Sequence, residues 1–185
     1  MCVRRLPRGL TLVELILFVL IVSIALLGVL LLLNTATARS SNPLVQKQAL
    51  AVAEALLEEV ELMPFTYCDP DDADVTTAAS PAACTAPEAL GPEPGESRTS
   101  LATPFDNVND YHNFSMAGIS DITGTALPGL SAYSATVTIT PETLVGTGTS
   151  VPSAAALRIS VQVNGPANQS ITLEGYRTRF GPRAP

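Results

Sequence analysis

The sequence predicts an α+β fold: a long N-terminal helix, membrane-spanning in its first half and amphipathic in its second, packed on a C-terminal antiparallel β-sheet. Three observations carry this. Leu10 to Leu33 is almost wholly apolar, broken only by Thr11, Glu14 and Ser23. Val45, Ala49, Val52, Leu56 and Val60 then recur at steps of three or four, with Ala53 and Leu57 widening the stripe. In the last third, apolar and polar residues alternate, which is the mark of half-buried strands. Five segments follow: a basic leader at 1–9, a membrane segment at 10–35, an amphipathic helix at 36–63, a loop-rich region at 64–131, and a sheet at 132–185.

As a helix, Leu10–Leu33 would be about 36 Å long at about 1.5 Å per residue, enough for a bilayer core of about 30 Å. Arg4, Arg5 and Arg8 precede it, and no basic residue follows until Arg39. The positive-inside rule then puts the N-terminus in the cytoplasm and the body outside. An ordinary secretory signal has a shorter apolar stretch followed by a small-residue cleavage site. Here the small residue, Gly9, comes before the apolar stretch, so a cut there leaves the hydrophobic helix on the mature chain.

That order, in Arg8-Gly9-Leu10-Thr11-Leu12-Val13-Glu14-Leu15, resembles the processing motif of type IV prepilins and type II secretion pseudopilins. The resemblance implies a type IV pilin-like fold, with a long N-terminal helix laid on an antiparallel sheet. It implies that a prepilin peptidase cleaves after Gly9, and that Leu10 becomes an N-methylated N-terminus. Leu10 departs from the family's usual Phe. Glu14 then falls at the fifth mature position. A carboxylate in a membrane segment costs up to about 2.5–3.5 kcal/mol, so it calls for a partner. In the family that partner is the α-amine of a neighbouring subunit, here Leu10 N. Such a pair sets axial register more than it adds stability. The alternative is an uncleaved single-pass anchor with an incidental Glu14.

Beyond the membrane segment, Asn34–Ser41 contains weaker helix formers. Ser41-Asn42-Pro43 reads as a helix start, and Pro43 disfavours a helical Asn42. A kink or break is expected at 38–43, with helix resuming to about Met63 and ending at Pro64. Glu54, Glu58, Glu59 and Glu61 lie mostly off the apolar stripe.

The region 65–131 shows few periodic runs. Cys68 and Cys84 are the only cysteines of the body. An even pair in an exported domain reads as a disulfide, the alternative being two unpaired thiols. Further on, Tyr133, Ala135, Val137 and Ile139 alternate with polar residues, as do Leu157, Ile159, Val161 and Val163, and then Ile171 and Leu173. This predicts at least three antiparallel strands, with GPANQ as a hairpin loop and Gly175 as a bulge where the alternation slips.

The body motifs, NPLVQKQALAVAEALLEEVELMPFTYCDPDD and PFDNVNDYHNF among them, resemble minor pilins of the mannose-sensitive haemagglutinin (MSHA) pilus. That resemblance implies a subunit that enters or primes a pilus fibre. Its partners would be other pilin subunits through the N-terminal helix, the prepilin peptidase/methyltransferase, and the inner-membrane assembly machinery. The expected location is a bacterial inner membrane with the body periplasmic, then the fibre or its tip. A type II secretion pseudopilin is the alternative within the superfamily. A membrane-tethered periplasmic binding module is the alternative of another class.

Other chemistry finds little purchase in the sequence. The chain carries 10 basic and 17 acidic residues, with Lys47 its only lysine. Such a balance argues against phosphate-backbone binding, which needs clustered cations, so no nucleic acid is expected. His112 is the only histidine, and Gly118-Ile-Ser120 lacks the second Gly of a nucleophile elbow, so no enzyme is expected. Cys and His spacings make no zinc site. Two acidic groups, Asp69/Asp71/Asp72/Asp74 and Asp106/Asn107/Asn109/Asp110, carry the oxygens that Ca²⁺ prefers. Neither has the EF-hand spacing, so solvated or turn-forming acids are expected. No cofactor is assigned, and Asp106 and Asp110 are the secondary calcium candidates.

Overall fold

The computed structural model describes residues 11–179, with all their side chains except those of 32 and 34–42. Gly9 and Leu10 lie outside the described residues. The chain divides into two compact units between Leu44 and Val45.

One helix, α1, is assigned over Leu12–Leu62, with Pro43 inside it. The expected break at 38–43 is therefore corrected. A proline removes one N–H and crowds the preceding turn, but helical backbone continues on both sides of it here. In the first unit, Thr11 caps the start of α1, its Oγ1 accepting from Glu14 N at 3.3 Å. The stretch Leu12–Leu31 is long and apolar enough to cross a membrane. Its side chains face outward all round, as a helix solvated by lipid or by other apolar helices requires.

The second unit holds the core. From α1 it takes Ala49, Ala53, Leu56 and Val60, all buried, with Val45, Val52 and Leu57 at the margin, which is the stripe read from the sequence. The sheet opposite contains β1 (Ser115–Ala117) and β2 (Ser134–Pro141). A two-residue ribbon of β3 (Leu144–Val145) and β4 (Ser150–Val151) follows as a separate hairpin. The main sheet is completed by β5 (Ala156–Gly165) and β6 (Gln169–Thr178), in the order β1-β2-β5-β6 with every pairing antiparallel. Val137, Val161 and Leu173 lie abreast across β2, β5 and β6, beside the row Ile139, Ile159 and Gly175. Strands β1, β3 and β4 were not expected from the sequence, because two or three residues are too few to show a period.

Pro166–Asn168 makes the β5–β6 turn as a hairpin loop, with Ala167 and Asn168 both at φ 57°. Gly175 is not a bulge. It pairs in register with Ile159, and β6 continues to Thr178. Its role is clearance instead. A Cβ there would meet the Glu61 carboxylate and lie 3.0 Å from Leu57 Cδ1. Gly165 behaves alike: a Cβ would lie 2.8 Å from the Tyr133 ring. The two glycines mark where α1 and the Tyr133 ring crowd the sheet.

The loop region closes the core from one end. Phe105, Tyr111 and Phe114 pack edge to face, with centroids 5.1 to 6.0 Å apart. Arg179, just past β6, lies over the Phe65 and Tyr67 rings at 3.8 and 3.9 Å. Cys68 and Cys84 form a disulfide across 16 positions. Closing a loop of that size stabilises by about 3 kcal/mol on chain-entropy grounds. Replacing both cysteines by serine is therefore expected to lower the Tm by about 6–12 °C at constant pH. Circular dichroism melts of the full chain check this, and an unchanged Tm would remove the disulfide from the stabilising terms.

Candidate functional site

Two places carry chemistry that the fold does not use up. The first is Glu14 on α1. Three polar side chains interrupt the apolar segment. Thr11 caps the helix, and Ser23 donates from its hydroxyl to the Val19 carbonyl at 2.7 Å. Both are thus satisfied within the helix, so each can sit in apolar surroundings at little cost. Glu14 is different: its side chain is exposed, and among the described residues nothing bonds to its carboxylate. Leu10, whose amine in a neighbouring subunit is the partner that the resemblance implies, lies outside the described residues.

The second place is the loop region, where α1, the disulfide loop and the 3-10 turn Val108–Tyr111 meet. Glu59, on α1, is held by Arg98. The guanidinium donates from Nε and Nη2 to the two carboxylate oxygens at 2.6 and 2.7 Å. Nη1 donates to the carbonyls of Ser120 and Asp121 at 3.3 and 3.0 Å. Tyr111 donates its hydroxyl to Glu59 Oε1 at 2.7 Å. Glu59 raises the Arg98 pKa further, and burial followed by the Glu59 hydrogen bond raises that of Tyr111. This network explains how a glutamate can stand beside Leu56 and Val60. The sequence held one signal for it, since Arg98 is the lone basic residue between Lys47 and Arg158.

The acidic groups sort by what their oxygens do. Asp72 is buried and fully used: it accepts from Asp74 N at 2.9 Å and from Ala86 N at 2.6 Å, tying the two sides of the disulfide loop together. Those backbone donors hold its carboxyl below the usual range. Asn107 caps the 3-10 turn, and Asp110 Oδ2 accepts from the backbone N–H groups of Asp106 and Asn107 at 2.9 and 2.7 Å. The expected turn-forming role is therefore real, but it employs only one oxygen of Asp110.

Carboxylates from separate segments also converge. Oxygens of Glu88, Glu93 and Asp110 lie within 4.8 Å of one another, and so do oxygens of Asp69, Asp71 and Asp106. Asp110 is wholly buried, yet its Oδ1 has no hydrogen-bond partner, and neither does Asp106 Oδ1 nor either oxygen of Glu88. Burial, with the charges of Glu93 and Asp110 added, pushes the Glu88 carboxyl up to about 8. Burial also raises Asp110 to about 6 against its two backbone donors, and raises Asp106 to about 6 with help from Asp110, Asp69 and Asp71. Glu96 rises to about 8 through burial and its hydrogen bond with Glu93. Of the calcium candidates in the sequence, Asp106 and Asp110 fall in adjoining clusters, whereas Glu88 and Glu93 had no signal of their own.

His112, the residue on which any triad would have rested, accepts the Ile139 N–H on Nδ1 at 3.3 Å. Beside α1 runs an apolar groove of about 600 Å³, walled by Val52, Leu56, Met116, Ile119 and Leu127, with Arg98 among its lining.

What fold and sites define together is a class: an α+β domain behind one helix that is long and apolar enough to cross a membrane, closed by a disulfide. No family model, curated protein or solved structure matches the chain.

Proposed function

We propose that this chain is a minor subunit of a type IV pilus-like fibre, of the MSHA type and most similar there to the MshD component. In this reading a prepilin peptidase removes residues 1–9, Leu10 is N-methylated, and the subunit enters or primes a fibre through its N-terminal helix. The chain itself catalyses nothing. The observation that carries the reading is Glu14: one carboxylate without a described partner, in an apolar segment whose other polar side chains, Thr11 and Ser23, each bond within the helix, at the fifth position after Gly9. An exposed apolar helix needs lipid or neighbouring helices, and a fibre of like subunits supplies the second. The α+β layout is compatible with this role.

The test is the N-terminal mass of the chain from its native membrane, with and without the prepilin peptidase. A chain beginning at methylated Leu10, only when the peptidase is present, is the expected result. Retention of Met1–Gly9 in both would leave Glu14 without its amine and overturn the reading. The apolar groove beside α1 would then favour the second reading, a membrane-tethered binding module. A processed chain that co-purifies with a secretion system instead of pili would point to the pseudopilin alternative.

A further inference from the structure

The carboxylates of the loop region form a group that the filament reading does not use. Glu88, Glu93 and Asp110 come from three separate places: the segment after the disulfide loop, the turn that follows it, and the 3-10 turn. Backbone bonds bring them together. Glu88 N donates to Tyr67 O at 2.9 Å, and Gly91 N donates to Asn109 O at 3.0 Å. Three acidic groups packed this closely repel one another; Asp110 is wholly buried and Glu88 and Glu93 are half-buried, so water screens them poorly.

Two remedies exist, protonation or a bound cation. The geometry favours the cation. A buried carboxylate that relied on its own fold for compensation would direct its oxygens at N–H donors, as Asp72 does. Here Asp110 spends Oδ2 on the backbone while its buried Oδ1 has no donor, and both oxygens of Glu88 lack one. The Asn109 amide lies beside Glu88 and eases its charge. Arg179 also feels that charge, but no ion pair joins them among the described residues.

We propose that Glu88, Glu93 and Asp110 bind one Ca²⁺ ion, which fastens the 88–93 segment to the 3-10 turn. Two oxygens on one Ca²⁺, at about 2.3–2.6 Å each, stand at most about 4.6–5.2 Å apart, and the three carboxylates meet that limit. Mg²⁺ binds at about 2.0–2.1 Å and demands a tighter octahedron, so it is the poorer occupant. The donors are all oxygen, which excludes a preference for soft metals. Asp69, Asp71 and Asp106 adjoin the site and add negative potential.

The test uses the full chain in detergent, stripped with a chelator and titrated with CaCl₂ by calorimetry and by thermal melting at one pH. One Ca²⁺ per chain and a Tm that rises with Ca²⁺ more than with equal Mg²⁺ are expected. Glu88→Gln is the informative variant, because no backbone donor depends on the Glu88 carboxylate and glutamine keeps an oxygen beside the Asn109 amide. It is expected to weaken Ca²⁺ binding at least about tenfold through the lost ligand charge, while the chelated protein melts no lower than the parent. No Ca²⁺ uptake at millimolar concentration would overturn the proposal. So would binding that survives Glu88→Gln and Glu93→Gln but fails in Asp69→Asn, since the ion would then sit with the other triad. Both readouts are independent of cleavage at Gly9 and of fibre formation.

Discussion

Replacing Arg98 by alanine is expected to destabilise the C-terminal unit by about 2–4 kcal/mol, a large share of the total for an ordinary domain. The Arg98 side chain is 6% exposed and that of its partner Glu59 is 19% exposed. Removing the guanidinium leaves the largely buried Glu59 carboxylate with only the Tyr111 hydroxyl as donor. It also strips donors from the Ser120 and Asp121 carbonyls. Breaking a buried pair from one side costs about 3–5 kcal/mol, and the partial exposure of Glu59 trims that figure. Arg98→Lys should recover only part, because an ammonium cannot meet both carboxylate oxygens and the carbonyls in one plane. The paired change Arg98→Met with Glu59→Leu should cost far less than the sum of the singles. Urea unfolding of the four proteins gives the coupling directly. A loss below about 0.5 kcal/mol for Arg98→Ala would put the pair among surface bridges of little weight.

On the proposed fibre reading, Glu14→Ala has the largest expected effect on assembly. The variant should be cleaved and methylated as usual and should accumulate in the membrane. Its recovery with fibre fractions should fall by at least about tenfold, equivalent to about 1.4 kcal/mol per subunit. The physical reason is register. An apolar helix slides along similar helices with little change in energy, whereas an amine and a carboxylate in apolar surroundings penalise every alignment but one. Alanine removes that penalty and leaves the amine uncompensated. Glu14→Gln keeps the shape and loses the charge, so it separates charge pairing from packing. Normal incorporation of Glu14→Ala, measured by immunoblot of sheared fibres, would sink the register argument.

The two predictions differ in how visible their residues were. Glu14 stands out because its whole neighbourhood is apolar, and that is a property of the linear sequence. Glu59 looked like one of several solvent-facing glutamates on α1. Its partner is Arg98, far along the chain in a segment without period, and no spacing rule joins the two. The calcium candidates divide the same way. Asp106 and Asp110 were noticed because four oxygen-bearing residues stand within five positions. Glu88 and Glu93 went unnoticed because acids spread through a Pro- and Gly-rich stretch look solvated. Pro43 misled in the other direction: a strong local breaker sits inside a helix that continues past it.

By itself the sequence determined the apolar helix, the amphipathic stripe from Val45 to Val60, the three long strands and the pairing of Cys68 with Cys84. Each follows from a period or a count, and periods reflect burial on one face, which neighbours in sequence share. Only the tertiary structure decided that Gly175 provides clearance, that Glu59 is paired and that Asp110 keeps a buried oxygen without a donor. Those depend on how closely distant segments approach and on which donors the folded backbone leaves free, and a linear pattern carries neither quantity.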